Sequence, residues 1–135
     1  MKRFDVQGID LQVTAAHAFA YIADPTRLPR WTSAFAAVEQ GRATMRTPGG
    51  QVEVDLEVRS SQEQGTIDWR MGFPDGSVAS AFSRVVEIDA SSCVFAFVLT
   101  PPPVALEQLE GTLQAQSRTL AVELHALKTI LERHG

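Results

Sequence analysis

Residues 38–59 read VEQGRATMRTPGGQVEVDLEVR, and their alternation decides the fold. Val52, Val54, Leu56 and Val58 share one parity while Glu53, Asp55, Glu57 and Arg59 fill the other, as in a strand with one face in the core and one in water. Two turns are expected in this stretch. A two-residue turn at Gln40-Gly41 pairs Glu39 with Arg42 and Val38 with Ala43, placing a charge pair outside and an apolar pair inside. A two-residue turn at Gly49-Gly50 then pairs Arg46 with Glu53, Arg42 with Glu57 and Met45 with Val54, with the same inside and outside. A slip of one residue would reverse every face, so an antiparallel meander in this register is expected.

The pattern extends in both directions. Ile67, Trp69 and Met71 continue the inner face, and Pro74-Asp75-Gly76 is a turn leading into a long strand over 77–88. In that strand Arg84 shares its parity with Val78, Phe82, Val86 and Ile88, which predicts an inward guanidinium. The last strand, Cys93 to Thr100, is apolar on both parities, so either both its faces are covered or one meets a second copy in a homodimer. Upstream, Phe4 and Val6 lie on one parity and Ile9, Leu11 and Val13 on the other, which predicts a bulge near Gly8. Thr14 is a good N-cap for a short helix over 15–23, and Asp24-Pro25 stops it and starts a second that leads to Trp31.

After Pro101-Pro102-Pro103 the chain reads as one helix, with Leu106, Leu109, Leu113, Leu120, Leu124, Leu127 and Leu131 at spacings of three, four or seven. The expected fold is therefore α+β, a curved seven-strand antiparallel sheet wrapping a long C-terminal helix, with two short helices after the first strand.

Ala15-Ala16-His17-Ala18-Phe19-Ala20-Tyr21-Ile22-Ala23-Asp24-Pro25 running into Leu28-Pro29-Arg30-Trp31, set in this order of elements, resembles the START-like (SRPBCC) superfamily with its helix-grip fold, specifically the polyketide cyclase/dehydrase group. The resemblance covers nearly the whole chain. It implies a cavity between sheet and helix, in which members of the superfamily hold lipids, polyketides, quinones, sterols or hormones, many without catalysing a reaction. The short chain and tight turns predict a modest cavity.

Composition narrows the choice. At 135 residues one domain spanning 1–135 is expected, and 44% apolar with 21% charged residues can build a packed core. A net charge of −4 without a block of like charges offers no footprint for nucleic acid. Cys93 stands alone, which excludes an intrachain disulfide and fits a reducing compartment. Met1-Lys2-Arg3 leads into Asp5, Gln7 and Gly8 rather than an apolar run, so a cytoplasmic location is expected. No stretch approaches the roughly 20 apolar residues of a membrane span.

Candidate chemistry is sparse. There is no paired-cysteine or His-Glu-x-x-His motif, and His125 and His134, nine positions apart on one helix, point in opposite directions, so no metal and no other cofactor is expected. His17 reads as a surface residue, and Cys93 as an inert thiol. Ser117 interrupts the leucine stripe, where it either hydrogen-bonds the preceding turn or touches a ligand. An inward Arg84 needs an acid, a ligand anion or an outlet to solvent, unless a bulge turns it outward. The candidate ligand-binding residues are Arg84, Trp69, Phe82, Phe97, Ser117, Leu113 and Leu120, and Trp31 and Phe95 read as core or lining. Glu110, beside the stripe, is a further ionisable candidate.

Three readings follow. The first is a binder of a small hydrophobic or aromatic molecule. The second is a polyketide cyclase, dehydratase or isomerase acting on an aromatic substrate, and the third is an interaction protein with a closed pocket. Two facing ionisable groups in the cavity would favour the enzyme, and at most one the binder.

Overall fold

A computed structural model describes residues 4–47, 50–100 and 106–134, with side chains described for these residues except 47, 106–112 and 134. The elements run β1 (Asp5–Leu11), α1 (Ala15–Ile22), a 3-10 turn (Pro25–Arg27), α2 (Leu28–Trp31), β2 (Phe35–Glu39), β3 (Arg42–Thr47), β4 (Gly50–Ser61), β5 (Thr66–Gly72), β6 (Val78–Asp89), β7 (Ser92–Leu99) and α3 (Leu106–His134). All seven strands form one antiparallel sheet in the order β1-β7-β6-β5-β4-β3-β2. This is the α+β helix-grip arrangement that the alternation and the leucine stripe predict.

Local chemistry places the ends of the elements. The Thr14 hydroxyl accepts the amide of His17 at the start of α1, and the Asp24 carboxylate accepts that of Thr26. Gln40 and Gly41 both take positive φ, as a two-residue hairpin turn requires, and the pairs Glu39–Arg42 and Val38–Ala43 form as expected.

The second hairpin corrects the expected register by two residues. Thr47 pairs with Gly50, so Arg46 lies opposite Gln51 rather than Glu53, Arg42 opposite Asp55 rather than Glu57, and Met45 opposite Val52 rather than Val54. A shift of two keeps every side chain on its face, and it leaves Arg42 beside carboxylates, 3.0 Å from Asp55 and 3.6 Å from Glu53. Parity and charge therefore cannot tell the two registers apart. Both arginines remain on the exposed outer face.

β1 also departs from expectation. It pairs with β7 without interruption from Asp5–Leu99 to Leu11–Cys93, so there is no bulge at Gly8. Phe4 and Val6 simply face out, while Asp5 and Gln7 face in toward α3. There the Ser117 hydroxyl donates to Asp5 at 2.6 Å, and the Gln7 amide donates to Asp5 and to the Ser117 carbonyl. Ser117 thus breaks the stripe to meet a buried carboxylate, and not to bond its own preceding turn. Three turns further on, Lys128 donates to the Asp10 carbonyl and to Glu132, whose carboxylate also accepts the Gln12 amide. Between these polar attachments Leu120, Leu124, Leu127 and Leu131 are buried against the sheet.

One glycine is irreplaceable. Gly65, at φ +75°, accepts the Val85 amide, and a Cβ added there would run into the Val85 carbonyl oxygen. Gly76 also has positive φ, but open space surrounds it. We expect Gly65→Ala to cost more than about 2 kcal/mol in urea denaturation, and Gly76→Ala about 1 kcal/mol. Equal losses would contradict the close approach of the β4–β5 turn to β6.

Candidate functional site

The space between sheet and helix follows from where small side chains fall. On β6 the inward residues are Ala79, Ala81, Ser83 and Val85, opposite the bulky Met71, Trp69 and Ile67 of β5. Ala115 and Thr119 of α3 add two more small side chains to the lining. Together they leave a cavity of about 290 Å³, within reach of the size range of small-molecule sites. Its sheet wall includes Met45, Trp69, Met71, Ala81 and Phe97. α2 and the residues after it supply Leu28, Trp31, Ser33 and Phe35, and α3 supplies Gln116, Thr119, Leu120 and Glu123.

The aromatic wall is ordered by ring contacts. Trp69 stacks on Phe97 with centroids 5.7 Å apart and an interplanar angle of 27°, while Trp31 meets Trp69 and Phe95 edge-on. Both indole N–H groups are buried and have no hydrogen-bond partner among the described residues.

Glu123 is the one acidic or basic side chain of the described lining. Its Oε2 accepts the Ser33 amide at 2.5 Å and the Ser33 hydroxyl at 3.1 Å. Arg46 holds the same loop from the other end of the residue, donating to the Ser33 carbonyl at 2.8 Å. Desolvation pushes the Glu123 carboxyl above the usual glutamate range, and the two Ser33 hydrogen bonds offset this only in part. Sequence reasoning missed this residue because it looked for polar breaks in the leucine stripe. Glu123 lies on its flank, seven residues after Gln116 and four after Thr119, so the three form a polar ladder beside Leu120.

The seven candidate residues do not converge. Trp69, Phe97 and Leu120 line the cavity. Leu113 is buried and Ser117 half-buried, but neither is among the lining residues. Arg84 and Phe82 are corrected: both lie on the outer face, where Phe82 is 43% exposed and Arg84 donates to the Gln64 carbonyl at 3.2 Å. The pairing of Ala81 with Trp69 fixes that parity, turning the larger side chains of β6 outward beside Val98 and Val6. The Glu110 side chain lies outside the described residues. Cys93 is fully buried, and burial pushes its thiol up, away from the reactive thiolate.

The family model for polyketide cyclase / dehydrase and lipid transport matches residues 2–132. The chain belongs to this family. No curated protein matches it by sequence. Among solved structures it is similar to the Zhui aromatase/cyclase of Streptomyces sp. R1128, with a TM-score of 0.78 and 14% identity, covering 97% of this chain and 94% of that one. It also resembles a START superfamily protein of Mycobacterium smegmatis (TM-score 0.75, 11% identity, 99% and 100% covered). A third similar structure is Thalictrum flavum norcoclaurine synthase (TM-score 0.70, 16% identity, 97% and 94% covered). These likenesses show the helix-grip fold.

The raised Glu123 pKa carries a stability consequence of definite sign. The folded state holds the Glu123 proton more tightly than the unfolded chain, so this group's contribution is fully present below the unfolded value of about 4.3 and is lost as pH rises through the folded one. Thermal melts of wild type and Glu123→Gln from pH 4 to 8 should show the variant gaining on wild type as pH rises through that window. Carboxylates lowered in the fold, such as Asp10, Asp24 and Glu132, act in the opposite direction but equally in both proteins. Parallel curves would contradict a desolvated Glu123.

Proposed function

We propose that the chain holds a small aromatic or polyketide-like molecule between the sheet and α3 and acts on it as a cyclase, dehydratase or isomerase, with Glu123 moving the proton. The observation that carries this reading is a half-buried carboxylate, the one acidic or basic side chain of the described lining, in a cavity walled by Trp69, Phe97 and Trp31. Family membership supports it, as does likeness to an aromatase/cyclase. A cavity near 290 Å³ suits one or two fused rings.

The chemistry needs one base. A carboxylate beside a ketone takes a proton from the carbon next to the carbonyl, the electron pair moves onto the carbonyl oxygen, and the new carboxylic acid returns a proton to carbon or oxygen. A raised pKa makes the carboxylate a stronger base when it takes a proton, and the same group then returns one as the acid. Gln116 and Thr119, on the same flank of α3, present hydrogen-bond donors along the cavity in which the enolate oxygen would lie.

Binding without catalysis is the second reading, and one observation favours it: the described lining holds a single ionisable side chain rather than two that face each other. Proton exchange separates the two. With 2-tetralone in D₂O, wild type should accelerate exchange of the protons next to the carbonyl by roughly 10²-fold or more over buffer. Glu123→Gln should bind the ketone and lose the acceleration. Ketone binding by wild type with exchange at the buffer rate would leave the binder as the better account.

A further inference from the structure

Among the described residues the acid of this cavity has no counter-charge. Among the described residues no cation comes within 4.0 Å of the Glu123 carboxylate, and no positive charge contributes to its shifted pKa. Arg46 reaches the same loop but binds the Ser33 carbonyl. The lining described contains no lysine, arginine or histidine. Residues 101–112 include Glu107 and Glu110 and no basic residue at all. Oε2 of Glu123 is held by Ser33, whereas Oε1 has no protein donor among the described residues.

A half-desolvated carboxylate with no cationic partner among the described residues makes its site attractive to a cation and hostile to a second anion. The walls add to this preference. Trp31, Trp69 and Phe97 present π-systems, whose faces are electronegative and attract an ammonium group. Their area covers the apolar body of a one- or two-ring ligand.

We propose that the cavity selects aromatic amines, the protonated amine meeting the Glu123 carboxylate while the ring system lies against Trp69 and Phe97, and that it rejects the corresponding carboxylic acids. The inference rests on the cavity being the ligand site, and not on the reaction carried out there. Neutral rings enter by apolar contact alone. The amine gains a charge-assisted hydrogen bond in addition, and the acid meets a like charge. This reverses the preference that an inward Arg84 would have imposed.

A matched set decides it: 2-naphthylmethylamine, 2-naphthylmethanol and 2-naphthylacetic acid, titrated calorimetrically at pH 7 and low salt into wild type and Glu123→Gln. In wild type the amine should bind at least about tenfold tighter than the alcohol, and the acid weakest. In Glu123→Gln amine and alcohol should converge, and continued binding of the alcohol shows that the variant folds. Equal affinity of amine and alcohol in wild type, or an amine preference that survives in Glu123→Gln, would overturn the charge selection while alcohol binding left the cavity standing as a site. Failure of all three to bind wild type would overturn the site and the selection together.

Discussion

The burial of Leu120, Leu124, Leu127 and Leu131 against the inner face of the sheet is the contact on which the rest of the molecule depends. A seven-strand sheet with one apolar face is not stable in water until something covers that face, and α3 is the only long helix among the described elements. Leucines at this spacing make one stripe, so α3 can meet the sheet in one rotational setting. That setting carries Gln116, Thr119 and Glu123 toward the cavity and Ser117 toward β1. Polar attachments to β1 through Asp5, Gln7 and Asp10, and to Gln12 just after it, fix where the helix sits along the sheet.

The cavity is a consequence of the same packing. Where β6 offers Ala79 and Ala81, the helix answers with Ala115 and Thr119, and neither surface fills the gap. Elsewhere along the interface large side chains face each other and the core closes. Glu123 lies at the border between these regimes, desolvated enough to raise its pKa and still anchored to Ser33. One substitution pattern thus gives the protein both its cavity and a lining carboxyl group whose pKa is raised, and the proposed charge selection follows from the two together.

Much of the fold was legible in the sequence because it rests on periodicity. The β4 alternation, the Gln40-Gly41 turn and the leucine stripe each specify a face, and faces survive small errors of register. The second hairpin shows the limit: a shift of two residues preserves parity and charge pairing, so Arg42 meets Asp55 and not Glu57 with no change in pattern. β6 shows a deeper one. Its largest apolar residues, Phe82 and Ile88, face outward, while Ala79, Ala81, Ser83 and Val85 face in, with Trp69 and Met71 opposite the two alanines. Ranking side chains by hydrophobicity therefore put Arg84 and Phe82 on the wrong face. The site was least legible, since Glu123 becomes notable only once Ser33, 90 positions away in sequence, is brought beside it.

The central claim is that ligands enter between the sheet and α3, against the aromatic wall. The chain contains two tryptophans, Trp31 and Trp69, and both line the cavity, so their two indole N–H resonances report on it directly. In ¹⁵N-labelled protein titrated with 2-naphthylmethanol, both indole signals should move along one saturable curve, together with the Glu123 and Ser33 amides. Saturable binding that leaves both indoles in place and shifts instead the amides of Phe82, Val98 and Val6 would put the ligand on the outer face and contradict the account.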